Sequence, residues 1–283
     1  MKLIVGLLIV TFSVFGGFAW SGGQLLALYH PPELLIIGGG AIGAFIISNP
    51  PQIIKAVLKG LPKLLGGIRY SKKSYLELLA LMYDLFAKAR KEGLMALEND
   101  IEEPDQSEIF KQYPNIVADQ HALNFITDYM RLMVGGSMNP FELENLMDLE
   151  LDIHHQEATL PGDSVMTMSD GLPGFGIVAA VMGVVITMGS VGEPPEILGM
   201  KIAAALVGTF LGILLAYGFV GPLASALKHR ADEESKFLSC IKVCIMATLN
   251  GYTPQIAVEF GRKALPSTVR PGFIELEEHV KRK

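Results

Sequence analysis

Four stretches of this chain, residues 3–29, 34–52, 171–192 and 202–227, contain no Lys, Arg, Asp or Glu. Each supplies about 20 helical residues, which at a rise of about 1.5 Å per residue cross roughly 30 Å of hydrocarbon. Half of the 283 residues are hydrophobic and 18% are charged, more apolar content than one water-soluble core needs. The expectation is therefore an all-α integral membrane protein with four transmembrane helices. A secretory signal is the alternative for the first stretch, since Lys2 precedes it and Ala19 is small. No clean small-x-small cleavage site follows, and a second apolar run comes directly after.

Positive charge sets the expected topology. Of 23 Lys and Arg, 11 lie between residues 51 and 170, 10 follow residue 227, Lys2 is at the amino terminus, and Lys201 alone is left for the opposite side. By the positive-inside rule both termini and the central segment are cytoplasmic, and the segments near 21–33 and 189–201 face the other side. The 19 acidic residues of the central segment do not change this, because Asp and Glu contribute little to orientation. The chain divides into transmembrane helices 1 and 2 (1–50), a helical cytoplasmic domain inserted between helices 2 and 3 (51–170), transmembrane helices 3 and 4 (171–227) and a cytoplasmic tail (228–283).

Pro50-Pro51 ends the second span, and Lys55, Lys59 and Lys63 then recur every four residues beside Ile54, Leu58 and Leu61. This pattern predicts a short amphipathic helix on the inner leaflet, with membrane lipid as its partner. Leucines, methionines and Phe86 at helical spacing predict a helix over 74–98, and Asn139-Pro140 opens another expected over 141–155. The tail starts helically and breaks at Asn250-Gly251 and Pro254.

The candidate functional residues each have a bland reading. No span holds an Asp, Glu, Lys, Arg or His, so an ion-coupled activity needs a carboxylate from another chain. Gly39 and Gly43, Ala179 and Gly183, and Gly208 and Gly212 are small pairs four apart, suited to close helix packing within one bundle or between copies. Thr209 lies in the last span, where a threonine by default bonds its own helix carbonyl. Pro173 enters the third span and Pro222 leaves the fourth, places where proline is ordinarily tolerated. Arg90 and Glu98, eight apart, fit one face of a helix, and such a face is usually only solvated. His154-His155 reads as a pair of surface histidines, since neighbours on a helix point about 100° apart. Cys240 and Cys244 read as reduced thiols, without the further Cys or His that a zinc site needs. The Gly38–Gly43 run sits inside a span, which excludes a dinucleotide fingerprint. A net charge of -6 argues against nucleic-acid binding.

Several longer strings together identify a family resemblance. FGGFAWSGG near the amino terminus, ARKEGLMALENDIE within 78–103, SDGLPGFGIVAAVMGVV from Ser169, VGTFLGILLAYGFVGPL from Val207 and NGYTPQIAVEFGRKALPS in the tail closely resemble the MotA and PomA family of flagellar stator subunits. The resemblance covers essentially the whole chain. It implies a non-enzymatic protein of the bacterial inner membrane, with five copies ringed around two copies of a single-span MotB-like partner that brings an essential aspartate. Proton flow would be coupled to torque on the rotor protein FliG, with no cofactor and no bound metal. It further implies that Arg90 and Glu98 engage FliG, that Pro173 and Pro222 carry conformational change, and that Thr209 lines the ion path. Sodium-driven relatives place a threonine where this chain has Ala180, and an alanine methyl offers no oxygen ligand, so the expected coupling ion is the proton. An ExbB- or TolQ-like energiser is the alternative, although those chains place one span before the cytoplasmic domain and two precede it here. A solute transporter is a further reading, disfavoured by the lack of a polar cluster or interrupted helix at mid-depth.

Overall fold

The structure, a computed structural model, describes residues 2–67, 69–136 and 138–281. Of the described residues 84% are helical, with no strand among them. In order the helices are α1 (Lys2–Trp20), α2 (Pro31–Ser48), α3 (Pro51–Lys63), α4 (Lys72–Glu92), α5 (Glu98–Glu102), α6 (Pro114–Val117), α7 (Gln120–Gly135), α8 (Pro140–Met188), α9 (Pro195–Ile213), α10 (Gly221–Leu249), α11 (Pro254–Ala264) and α12 (Phe273–Lys281). A π-helical segment, Leu214–Val220, joins α9 to α10. Four stretches are long and apolar enough to cross a membrane: Lys2–Trp20, Leu25–Ser48, and parts of Pro140–Met188 and Pro195–Leu249. The protein is thus an all-α, four-span membrane protein.

Two units make up the chain, one of residues 2–67 with 157–230, the other of residues 69–156 with 231–281. Helices α8 and α10 contribute residues to both. In the first, here the span unit, Ile37 and Ala41 of α2 pack with Leu172 and Ala179 of α8 and Val207 and Leu211 of α9. The α3 helix buries Val57 against Val165, Ala224 and Leu227, with Ile53 and Leu61 alongside. Lys55, Lys59 and Lys63 are all exposed, and the Lys63 carbonyl accepts a hydrogen bond from Arg230 Nη1 at 2.6 Å.

The second, here the core unit, is built on a conventional interior. In α4, Tyr75, Leu78, Leu79, Met82, Leu85 and Phe86 recur at helical spacing and meet Phe125, Ile126, Tyr129 and Met130 of α7 and Phe237, Ile241 and Ile245 of α10. Phe237 stacks on Tyr70 with ring centroids 4.4 Å apart. Tyrosine hydroxyls anchor the edges of this interior, Tyr113 donating to Asp84 at 2.6 Å and Tyr70 to Asp119 at 2.8 Å. Burial, reinforced by the acceptor carboxylates, holds both hydroxyls well above the ordinary tyrosine range, so they remain donors. Cys240 and Cys244 are buried free thiols.

Two helices differ from the sequence expectation. The expected 74–98 helix starts at Lys72, capped by the Ser71 hydroxyl on the Ser74 amide, and stops at Glu92 because Gly93 adopts φ +91°. The helix expected to end near 155 instead continues to Met188, through Pro161 and Pro173. A proline deletes one backbone hydrogen bond, and the neighbouring turns hold the helix together.

Candidate functional site

Small residues bring α8 and α9 into backbone contact. A Cβ added to Gly212 would sit 2.8 Å from the Leu172 carbonyl oxygen and 2.9 Å from Gly176 Cα. One added to Gly183 would meet Ala205 Cβ at 2.7 Å, and one at Gly208 would meet Ala179 Cβ at 3.1 Å. Gly176, Ala179 and Gly183 thus face Ala205, Gly208 and Gly212 along a seam that admits no larger side chain. Of the small pairs in the sequence, Ala179 with Gly183 and Gly208 with Gly212 lie in this seam, whereas Gly39 and Gly43 face open space. At Gly43 nothing comes within 4 Å of an added Cβ, and the neighbouring Gly40 instead receives the Phe175 ring.

Thr209 follows Gly208 in α9, and the Ala180 amide lies 3.4 Å from a Cβ placed on Gly208. The default expected of this threonine is not adopted. Thr11 and Thr187 each bond the carbonyl four residues back at 2.8 Å, whereas the half-buried Thr209 hydroxyl makes no hydrogen bond among the described residues. A hydroxyl kept out of its own helix ladder is free to serve a water or a passing ion. Ala180 is also half-buried and adds only a methyl.

The two prolines meet through Ser169. Pro173 is not at a helix start as expected but deep inside α8, where it removes the amide that would bond the carbonyl of Ser169. The buried Ser169 hydroxyl donates to the Ala216 carbonyl at 2.9 Å. That carbonyl lies in the π-helical segment and also accepts from the amide of Gly221, five residues on, the residue before Pro222. Pro222 has no amide to continue either an α or a π ladder, and its ring crowds the preceding turn, so a wider turn forms just before it. A neighbouring hydroxyl bonding a loosened backbone is how prolines are accommodated within membrane spans. Neither the π-helical segment nor the part played by Ser169 was among the sequence expectations; Pro222 was the one signal for them.

Arg90 and Glu98 do not share a helix face. Arg90 is in the last turn of α4, Glu98 opens α5, and Gly93 with the single 3₁₀ turn Leu94–Leu97 turns the chain between them. Both are exposed and neither pairs with another group among the described residues. The corner that presents them is held from inside. Leu97 is fully buried, and the buried Asp100 accepts from Lys88 Nζ at 2.6 Å and from Ser107 Oγ at 2.5 Å. Asp100 and Lys88 went unnoticed in the sequence because their pairing spans the turn.

A third cluster lies in the core unit. His121 Nδ1 is 2.6 Å from Glu234 Oε1, and His154 Nε2 is 3.2 Å from that same His121 nitrogen and 3.6 Å from that same oxygen. Burial works against the Glu234 charge, but hydrogen bonds from His154 and His121, together with Arg69, bring its carboxyl down to about 2. His154 is therefore not the surface histidine expected, whereas His155 points elsewhere, with its Nδ1 2.9 Å from Ser235 Oγ.

Four apolar spans, the last two packed through small residues, define a helical membrane protein. A family profile described as "MotA/TolQ/ExbB proton channel family" matches residues 118–239, and one described as "Motility protein A N-terminal" matches residues 4–93. Motility protein A of Salmonella typhimurium is 53% identical over 281 residues, covering 99% of this chain and 95% of that one, and that of Escherichia coli is 54% identical with the same coverage. Chemotaxis protein LafT of Vibrio parahaemolyticus is 38% identical, covering 98% of each chain. The chain belongs to the motility protein A family. It is a motility protein of the proton-channel family and not an enzyme. The fold matches that of MotAB from C. jejuni, with a TM-score of 0.78 at 21% identity, and that of the flagellar MotAB stator complex from Bacillus subtilis, with a TM-score of 0.76 at 24% identity. In both cases the match covers 94% of this chain and 96% of the other.

Proposed function

We propose that this chain works as one of five copies around a dimer of a single-span MotB-like partner in the bacterial inner membrane, with both termini cytoplasmic, coupling proton entry to torque on FliG. The observation that carries the reading is the seam between α8 and α9. Next to it in sequence the Thr209 hydroxyl is unbonded, within spans that hold no Asp, Glu, Lys, Arg or His, so the carboxylate that takes up the ion comes from the partner. Ala180 supplies no ligand for sodium, and the aliphatic surroundings favour the protonated form of a carboxyl placed there, which makes the proton the coupling ion.

Protonation of the partner's aspartate is transmitted through Pro173 and Pro222, whose helices are joined by the bond from Ser169 to Ala216. The movement reaches FliG through Arg90 and Glu98 on the α4–α5 corner, which belongs to a cytoplasmic domain. The amphipathic α3 lies at the inner leaflet, with its three lysines toward lipid headgroups.

In a strain lacking the native gene, the chain and its partner should restore swimming in sodium-free medium, and a protonophore should stop it. Swimming that scales with external sodium at constant proton-motive force would overturn the choice of ion. Arg90→Glu should impair swimming without lowering membrane abundance and should be rescued by a charge-reversed FliG. Absence of rescue in every combination would remove direct contact from the account.

A further inference from the structure

We infer that His121, His154 and Glu234 form a binding site for a transition-metal ion of the zinc type within the core unit. Three helices converge on it, His121 from α7, His154 from α8 and Glu234 from α10, so the donors come from 33 to 113 residues apart in sequence. The three donor atoms His121 Nδ1, His154 Nε2 and Glu234 Oε1 form a triangle with sides of 2.6, 3.2 and 3.6 Å. The point equidistant from its corners lies about 1.9 Å from each, so an ion slightly out of the plane sits at the roughly 2.0–2.2 Å that zinc keeps to imidazole nitrogen and carboxylate oxygen. No ligand has to travel far to reach it.

The chemistry of the set agrees with its geometry. Two imidazoles with one carboxylate are suited to zinc and its first-row neighbours, whereas magnesium and calcium require oxygen-rich shells. A proton can link two of these atoms at a time, but one ion just above the plane of the triangle engages all three lone pairs. Glu234 is held from behind: Arg69 Nη1 lies 3.9 Å from the other carboxylate oxygen, and Arg69 is itself anchored to Asp119 at 2.8 Å. Such outer support fixes the orientation of a ligating carboxylate. The Arg69 charge opposes a cation, but it sits behind the carboxylate rather than among the donors. His121 is 61% exposed while Glu234 and His154 are 13% and 21% exposed, so one ligand opens to solvent and leaves an entry path and a fourth position for water. The bound ion would tie α7, α8 and α10 together at one point.

The test uses the full chain co-purified with its partner in detergent, without a histidine tag, titrated with zinc and separately with cobalt(II). One zinc per chain should bind, the cobalt form should show visible absorption of a low-symmetry site, and the zinc edge should report nitrogen and oxygen neighbours only. His121→Ala, at an exposed position, should weaken binding at least tenfold, while the metal-free variant stays folded by circular dichroism with its unfolding temperature lowered by the loss of the bond to Glu234. A double variant, Cys240→Ser with Cys244→Ser, should bind as the parent does. No saturable binding, sulfur at the zinc edge, loss of binding in the cysteine variant, or binding indifferent to His121→Ala would each overturn the site and leave a hydrogen-bonded histidine cluster only.

Discussion

The two units of the chain bury their apolar residues to very different degrees. In the core unit, α4 alone buries eight hydrophobic residues, and its partners on α7, α10 and α11 close around them. In the span unit, α1 buries none; Phe12 is 71% exposed and Trp20 93% exposed. Within the core unit, folding removes apolar surface from water, and side chains do the packing. Within the span unit, lipid is as apolar as leucine, so burial of large side chains gives no drive and the tight contacts are made by backbone against backbone at glycine. The two halves of one chain obey different solvents, and the same substitution should cost very different amounts in each.

The largest effect is expected where the seam has no spare volume. Gly212→Leu must push α8 from α9, since even a Cβ would approach the Leu172 carbonyl oxygen to 2.8 Å. Complete loss of swimming with reduced membrane abundance is expected, and wild-type swimming would show that the two spans do not pack as described. Gly43→Leu meets no atom of the chain within 4 Å and should leave the isolated chain folded. If it nevertheless abolishes swimming, the Gly43 face is covered by another chain, which sharpens the contrast between the units.

Next in size is Phe86→Ala in the core unit, where a fully buried ring is removed. It should cost about 3–5 kcal/mol and lower the thermal unfolding midpoint of the detergent-solubilised protein. Phe12→Ala should change that midpoint little, within about 0.5 kcal/mol. Equal losses at both positions would break the comparison.

Ser169→Ala removes the hydroxyl that reaches the π-helical segment, at a cost of about 1 kcal/mol. Torque per stator in tethered cells should fall while abundance is kept; unchanged torque would limit that bond to a packing role.

A loss of similar size, confined to neutral pH, is expected in the tail. The Arg262 hydrogen bonds, followed by its charge, depress the Glu259 carboxyl below its usual 4.5, and Arg262 also donates to the Pro271 carbonyl at 2.9 Å. Because the folded value is the lower one, this pair stabilises the protein fully above the unfolded value, and the contribution disappears as pH falls through the depressed value. Glu259→Gln should cost about 1 kcal/mol at neutral pH and nothing in strong acid, read as the difference between two pH-dependent melting series.

The spans and their number were legible in the sequence because excluding charge from about 20 residues is a property of composition, and it survives ignorance of tertiary structure. Gly93 was visible as a letter but not as a helix end, because leucines continue at helical spacing on both sides of it. The convergence of His121 with His154 and Glu234 left no local trace, since their spacing in sequence has no period. Thr209 is the instructive case: its position is plain, but whether its hydroxyl bonds its own helix is decided by geometry that a default preference describes wrongly.

The π-helical segment before Pro222 also fixes angular phase. An α-helix advances about 100° per residue, so accommodating one surplus residue in a wide turn sets the faces above and below it off by about that angle. Residues 221–230 are therefore clocked relative to the Thr209 side of the same continuous run of residues. Moving the wide turn by one position, or rewinding it, would turn one face relative to the other in a single discrete step. The Ser169 hydroxyl holds the Ala216 carbonyl at 2.9 Å, so such a step would have to strain or break that bond.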